Sequence, residues 1–564
     1  MDSSSEQRRK KKHMLTPRPL FLYLSFFIIL LFFSSNHNSF TSHPSLQSST
    51  FPTLYSSAPR STLYPPSPTT TSISLLDHVI FPDHVLLTLS NPHLVLPHHQ
   101  LHCLYYNLFN GSGSVNPDFN ESVHPVLSTD RYDEFRSIAR CPLPEANFSI
   151  VGLRWRGEAD HRDIRFPVKD TTHNWDKLAY EAILDGDTAV VFVKGLNLRP
   201  HVVSDATRFR CHFGPRNGAY WLTTRAVSVA QEVVRCSLPQ SIQTNPDKAR
   251  GISVTVSHVS GHVREKLIPS VARIGSDRKT NRGNKFELCA CTMVWNQARA
   301  IREWVMYHAW LGVERWFIYD NNSEDEIDDV VGELELKGYS INRVVWPWIK
   351  SQEAGFSHCG LRAREECKWV GFFDVDEFFY FPNGHQNSLR TIVSNISSSN
   401  SIAEIRTGCH NFGPSGLSTH PKQGVTVGYT CRLRTPERHK SIVRPDLLHE
   451  SLLNVVHHFL LREGYRHRNM PQTIAVINHY KYQVWETFKA KFFRRVATYV
   501  VDWQEEQNIG SKDRVPGLGT QAIEPPDWRL QFCEVWDTGL KDFLLSNFTH
   551  PSTGLLPWES SAQS

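Results

Sequence analysis

Three carboxylates stand in the middle of KWVGFFDVDEFFYF, residues 368–381, where nine of the fourteen side chains are aromatic or aliphatic. An unpaired buried carboxylate is costly, so Asp374, Asp376 and Glu377 require partners: an Arg/Lys network or a metal ion. Asp374 and Asp376 are two residues apart and face the same side of an extended backbone. Two hard oxygen ligands on one face suit Mg2+ or Mn2+. The plain alternative is a strand ending in an acidic turn, and the surroundings decide between the two.

Those surroundings alternate strand and helix. Trp369 to Phe373 is a continuous apolar run, the pattern of a central strand covered on both faces. FELCACTMVW, from Phe286, reads as a buried strand. NQARAIREWVMYHAWLG follows, with Ala298, Ile301, Val305, His308 and Leu311 at helical spacing and Gly312 as the stop. VERWFIYD is a second strand, and Ser323 is the expected cap of a helix through EDEIDDVVGELELKG. INRVVWPW is a third strand, and SHCGLRAREECKW is a helix leading into the acidic segment. This order predicts a parallel sheet, whose ligands bind at the carboxyl ends of the strands. Asn296, Asp320, Asp374 and Asp376 then share one rim, with polar groups for a nucleoside and a metal for a diphosphate. The Asn-x-Ser site at Asn321 lies on that rim and is expected to carry no glycan. No G-x-G-x-x-G or G-x-x-x-x-G-K-[ST] motif supports a dinucleotide or Walker-type phosphate cradle.

The 564 residues are too many for one core, so two or three domains are expected. The formal net charge of +5 is matched by the five consecutive basic residues Arg8 to Lys12 alone, and nothing suggests a nucleic-acid partner. Residues 1–19 read as a cytosolic basic head and 20–35, around LFLYLSFFIILLFF, as a single-pass signal anchor; a cleaved signal peptide is the alternative. A Ser/Thr/Pro-rich stalk covers 36–74. Six Asn-x-Ser/Thr sites and eleven cysteines, enough for five disulfides with one left over, agree with a lumenal home. Short strands broken by Pro, Gly and Asn make 75–275 an accessory β domain. A faint internal echo makes Cys103–Cys141 and Cys211–Cys236 the natural pairings there, among three connectivities. Residues 284–505 form the α/β domain, and the polar, Pro/Gly-rich 506–564 a C-terminal tail.

CTMVWNQARAIREWVMYHAWLGVERWFIYDNNSED and HCGLRAREECKWVGFFDVDEFF resemble the core motifs of glycosyltransferase family 92, whose plant members include pectic β-1,4-galactan synthases. The resemblance covers residues 286–503. One departure is Gln297, where many relatives outside plants carry an acidic residue. The resemblance implies a GT-A type domain with a Rossmann-like, mostly parallel sheet, preceded by an accessory β-sandwich-like region. It also implies a nucleotide-sugar donor, UDP-linked, and inversion at the anomeric carbon. Asp374-Val375-Asp376 matches the metal-binding Asp-x-Asp, with Mn2+ as the expected ion, and Asp320 matches an acidic position close to the nucleoside.

A third metal ligand in such folds often comes from a distant histidine. His457 and His458 end one apolar run, and His479, ending a cleaner strand, is preferred. An inverting transferase needs a general base near the acceptor hydroxyl. Glu377 adjoins the metal site, although alternation turns it from the face of Asp376, while Glu437, Asp446 and Glu450 lie downstream. The sequence does not choose; Glu377 and Glu450 are carried as the candidates. Lys440 and Arg444 would clamp the diphosphate or form a solvated basic loop. CHNFGPSGLSTHP would cover the donor. Trp348, Trp485 and Trp503 would stack on sugar rings or pack in the core.

The expectation is therefore a Golgi type II membrane hexosyltransferase with a lumenal catalytic domain. It would pass galactose from UDP-galactose to a glycan or cell-wall polysaccharide, the sugar being implied by the resemblance alone. A non-catalytic carbohydrate-binding protein with a relic GT-A domain is one alternative. A metal-dependent phosphodiesterase is another, but no two-metal cluster can be assembled from the sequence.

Overall fold

The computed structural model describes residues 74–559, except 91–100, 107–120, 145–147, 149, 156–163, 168–171, 216–219, 245, 260–265, 276–283, 385–387, 456 and 500–522. The basic head, anchor, stalk and Trp503 lie outside the described residues. Among the described residues, no helix is long and apolar enough to cross a membrane. Thr71–Ser564 forms one compact unit.

The first part of that unit is built of strands. His84–Leu89 lies between Leu75–Ile80 and Ser137–Pro142, antiparallel to both. Leu101–Tyr106 lies between Glu121–Pro125 and Ile150–Trp155 in a second sheet. Val85, Leu87 and Ala139 of the first sheet share a core with Tyr105, Val151 and Leu153 of the second. Cys103–Cys141 joins the two. A seven-stranded sheet follows, from Ala179–Asp185 to Lys266–Leu267. Its strand TAVVFV, Thr188–Val193, is buried at every position, as its unbroken apolar run requires. Cys211–Cys236 lies inside it. Both expected cysteine pairings are formed.

The second part alternates as expected: β1 Phe286–Val294, α1 Ala298–Trp310, β2 Arg315–Asp320, α2 Ile327–Leu336, β3 Ile341–Val345, α3 Gln352–Glu366 and β4 Cys367–Phe372. After it come β5 Glu377–Tyr380, α4 Leu389–Ser397, β6 Ile402–Asn411, β7 His439–Val443, β8 Arg466–Asn469, β9 Val476–His479, α5 Trp485–Tyr499 and α6 Gly539–Asn547. The nine strands form one sheet in the order β3–β2–β1–β4–β7–β6–β9–β5, with β8 also on β6. Strands β1 to β4 are parallel. Beyond β4 the sheet is mixed, because β7 runs antiparallel between β4 and β6.

Alternation along β1 divides its side chains between two layers. Leu288 and Ala290 face a core filled from α1, α2 and α4 by Ile301, Trp304, Val330 and Ile392. Cys289 and Cys291 face the other core, where the strand-rich first part supplies Phe81, Tyr180, Val190 and Phe192 against Phe317, Trp346, Trp348 and Phe356. The sheet is therefore covered by helices on one side and by α3 plus the accessory strands on the other. Cys289–Cys367 and Cys291–Cys359 staple β1 to β4 and α3.

Two local expectations change. Ser323 does not cap α2, whose N-cap is Glu326 without a side-chain bond. The serine stands too far ahead of the helix, and its Oγ instead accepts Asn296 N at 2.9 Å. Gly312 does stop α1, at φ 103°, and a Cβ there would fall 2.6 Å from Arg390 Cβ. The C-terminal segment is structural: Leu540, Leu544, Leu556 and Trp558 complete the helix-side core, and Cys533 pairs with Cys431. Cys409 is the one free cysteine among the described residues, and it is buried.

Candidate active site

The acid cluster forms where β4 hands over to β5. Glu377 N donates to Asp374 O at 3.1 Å, and Asp374 N donates back to Glu377 Oε2 at 2.8 Å, closing the turn between them. Glu377 lies opposite His479 in the β5–β9 pairing. Tyr480 N, just after β9, donates to Asp376 O at 2.9 Å. On β7, Ser441 is in register with Phe372, which carries the preceding Lys440 to the turn. Strand alternation sends Ser441 to the opposite face, where Glu404 takes its hydroxyl at 2.5 Å.

Both Asp-x-Asp carboxylates have ammonium partners. Lys440 Nζ is 2.8 Å from Asp374 Oδ2, 2.9 Å from Glu377 Oε1 and 2.6 Å from His457 Nε2. Lys491, from α5, meets Asp376 Oδ2. His479 stands between the acids, Nε2 3.7 Å from Asp376 Oδ2 and Nδ1 3.6 Å from Glu377 Oε1. Burial alone would raise the pKa of Asp374, but Lys440 and His457 outweigh it and hold the carboxyl well below its usual range. For Asp376, burial is outweighed by Lys491 and His479, with the same result. Burial pushes Glu377 up to about 8, with Asp374 and Asp376 adding and Lys440 opposing. At neutral pH the two aspartates are ionised and the glutamic acid keeps its proton. Burial, with Lys491 and Lys440, brings His479 down to about 4 against the pull of Asp376, so its imidazole is neutral.

Among the described residues, no group of three or more His, Cys, Asp and Glu side chains is arranged to hold a metal ion. The donor types nevertheless fit one: two ionised carboxylates and a neutral imidazole suit Mn2+ or Mg2+. The two ammonium groups on those carboxylates stand in for the charge of such an ion. Asp374, Asp376 and His479 would hold it.

The other expected residues fall less simply. Asp320 and Asp374 lie on one rim, because β2 and β4 both run parallel to β1 between them. Asp320 is buried, however, and both its oxygens are engaged: Oδ1 accepts Ser323 N at 2.9 Å and Oδ2 accepts Arg343 Nε and Nη2 at 2.9 and 2.6 Å. It braces the rim loop. Asn296 is exposed at the rim, its Oδ1 accepting Glu324 N at 2.7 Å. Asn321 Nδ2 donates to Trp346 O at 2.6 Å and to Trp348 O at 3.1 Å, which ties the side chain to the loop after β3.

Lys440 does not form a solvated loop, nor is it free to clamp a diphosphate; it is the buried counter-ion of Asp374. Arg444 is removed from the cluster, its Nη2 3.6 Å from Asp446. Glu377 is 0 % exposed, so it cannot take a proton from an acceptor hydroxyl, and it serves the turn. Glu450 is exposed and its carbonyl accepts Arg235 Nε at 2.9 Å; among the described residues no hydrogen bond or ion pair joins it to the cluster. His457 touches the cluster twice, its Nε2 2.6 Å from Lys440 Nζ and 3.7 Å from Asp374 Oδ2, while His458 faces away to Glu404 at 3.2 Å. Trp348 and Trp485 are buried, taking the core alternative. In the CHNFGPSGLSTHP segment, Cys409–Asn411 ends β6 and Gly416 N donates to Arg529 O at 2.7 Å, tying it to the C-terminal segment. Lys491 was not foreseen, since nothing in FKAKFF distinguishes it from other helix-surface lysines.

Residues 284–511 match glycosyltransferase family 92. A glycosyltransferase family 92 protein of Ricinus communis is 58% identical over 502 residues, covering 86% of this chain and 85% of that one. A galactan beta-1,4-galactosyltransferase of Arabidopsis thaliana is 26% identical over 253 residues, 38% of this chain and 47% of that one. Among solved structures, the mannosyltransferase PcManGT from Pyrobaculum calidifontis, in complex with GDP-Man and Mn2+, is 12% identical. The match covers 38% of this chain and 61% of that one at a TM-score of 0.26, an overlap from which neither fold nor ligand carries over. The Ricinus relative matches along most of both chains, and on that ground this chain is a glycosyltransferase and belongs to glycosyltransferase family 92.

Proposed function

We propose that this glycosyltransferase is metal-dependent and inverting. In this reading it moves a hexose from a UDP-linked donor onto a glycan or cell-wall polysaccharide. One observation carries the reading: two ionised aspartates follow the carboxyl end of β4, at the rim of the parallel half of the sheet, with a neutral histidine 3.7 Å from Asp376. Departure of a nucleoside diphosphate leaves new negative charge on a phosphate, and a divalent cation held there would supply charge stabilisation as a Lewis acid. Asp374, Asp376 and His479 would hold that cation. Glu377 and Lys440 keep the turn rigid, and Asn296 lines the nucleoside end of the rim. The parallel β3–β2–β1–β4 half with this motif at its edge supports a GT-A type domain. The strand-rich part before it supports an accessory β-sandwich-like region.

Galactose is the proposed sugar, supported by the name of the Arabidopsis relative. A single-pass type II arrangement in the Golgi, with the folded part lumenal, is supported by the basic head and apolar segment of the sequence. The five disulfides among the described residues favour an oxidising compartment. The test is UDP release from a panel of UDP-sugars, with and without Mn2+, by protein from a secretory host. One donor should turn over only with metal, and Asp374→Ala and Asp376→Ala should each lower kcat/KM by at least about a hundredfold. Turnover indifferent to chelation would sink the metal-dependent reading, and glycan binding without turnover of any donor would favour a relic domain.

A further inference from the structure

Three loops form the rim beyond β1, β2 and β3, and each contains a non-glycine residue in the left-handed backbone region: Asn296 at φ 51°, Asn322 at 64° and Lys350 at 53°. Such conformations cost energy and persist where their surroundings hold them. For two of the three, part of the hold comes from the strand-rich first part, on the carbonyl of the strained residue itself, and Asn322 Nδ2 also donates to Pro347 O at 3.1 Å. Arg140 Nη1 donates to Asn322 O at 3.5 Å, and Lys194 Nζ donates to Lys350 O at 2.5 Å.

Further polar contacts end on the same two loops. Arg140 Nη2 meets Glu324 Oε1 at 3.2 Å, and Trp348 Nε1 donates to Tyr132 OH at 3.0 Å. Asp130 meets Arg343 Nη1 at 2.8 Å, and that guanidinium also fixes Asp320, where the β2 loop begins. Glu324 in turn donates its amide to Asn296, passing the restraint to the loop after β1.

We propose that the accessory region is a working part of the donor site. Arg140, Lys194 and Asp130 are positioning residues that set the loops after β2 and β3 in the shape that receives the nucleoside. This rests on the reading above that the nucleoside lies along this rim. Loosening these contacts lets the rim loops relax toward ordinary backbone conformations, so donor affinity falls. The acid cluster, held by β5, β7, β9 and α5, keeps its geometry, so turnover of bound donor is preserved.

The test uses the full folded protein with Arg140→Ala, Asp130→Asn, and Asn296→Ala as a residue on the rim itself, reading UDP affinity by calorimetry beside KM and kcat. Arg140→Ala and Asp130→Asn should each weaken UDP binding and raise donor KM about tenfold, with kcat changed by less than about twofold. Arg140→Lys, which keeps one donor to Asn322 O, should restore part of the affinity. Unchanged melting temperatures in the variants separate a local loss at the rim from general loosening. If Asn296→Ala weakens UDP while the accessory variants bind it as the parent does, the accessory region only packs and the proposal is overturned. If all three variants bind UDP unchanged while Asp376→Ala abolishes turnover, the nucleoside lies elsewhere. The rim reading then falls, and this proposal with it.

Discussion

At the level of single residues, the acid cluster works by division of labour. Asp374 and Asp376 keep their charge because each has a lysine, while Glu377, at about 8, keeps its proton and supports the turn. The two lysines differ in commitment. Lys440 is buried between three partners, whereas Lys491 is about a third exposed on a helix and meets only Asp376 among the contacts described. A cation arriving at Asp376 competes with Lys491, so Lys491→Met should tighten Mn2+ binding by about tenfold, read by the electron paramagnetic resonance of free Mn2+. Unchanged affinity would mean that the lysine does not compete. Across the sheet, Glu404 gives a separate prediction. Burial would raise its pKa, but His458, Arg406 and Ser441 outweigh it and hold the carboxyl at about 2, below its ordinary 4.5. This stabilisation is present above pH 4.5 and is lost as pH falls toward 2, amounting to about 3 kcal/mol. Glu404→Gln should flatten the acid limb of a circular-dichroism stability curve between pH 5 and 2, and an unaltered limb would refute the assignment. The Asp-x-Asp pair was legible because two acids inside an apolar run demand an explanation. The ion pairs were not, because nothing local in the sequence sets Lys440 and Lys491, 66 and 115 residues from their acids, apart from other lysines.

At the level of elements, β1 to β4 and α1 to α3 could be placed from periodicity and breakers, since each buries a continuous stripe or run. Most of the mixed half of the sheet could not. Strand β9 shows as the apolar run ending at His479, but β5 and β8 are four residues each, too short for a pattern, and they take their places by pairing with β9 and with β6. The helical turn Val425–Gly428 is a similar case, existing by virtue of a distant carboxylate. Glu303 of α1 is buried and accepts Val425 N at 2.9 Å, Thr426 N at 3.0 Å and Thr426 Oγ1 at 2.5 Å. Gly424, at φ 108°, lets the chain pass, for a Cβ there would lie 2.5 Å from that carboxylate. Glu303→Ala leaves three buried donors without a partner and should cost about 3 kcal/mol in urea denaturation. A loss below about 1 kcal/mol would show that the turn finds other partners.

For the whole molecule, the layer that covers Phe317, Tyr319 and Phe356 is supplied by both parts of the chain. Residues 284–559 produced alone should therefore expose an aromatic sheet face, bind a hydrophobic dye and aggregate, while 74–559 should be monodisperse in gel filtration. Soluble, UDP-binding 284–559 would show the helix-side core to be sufficient. The seam could not be read in advance, because INRVVWPW announces a strand and not that its tryptophans meet Phe81, Tyr180 and Phe192 more than 150 residues earlier. That seam also bears on how such genes can change. A crossover between two diverged copies, falling in the stretch that joins the parts, would unite a face and a cover shaped by different histories. Most of the resulting hybrids would fail in the secretory pathway before any sugar was transferred, so selection is expected to pass the two parts on as one heritable block.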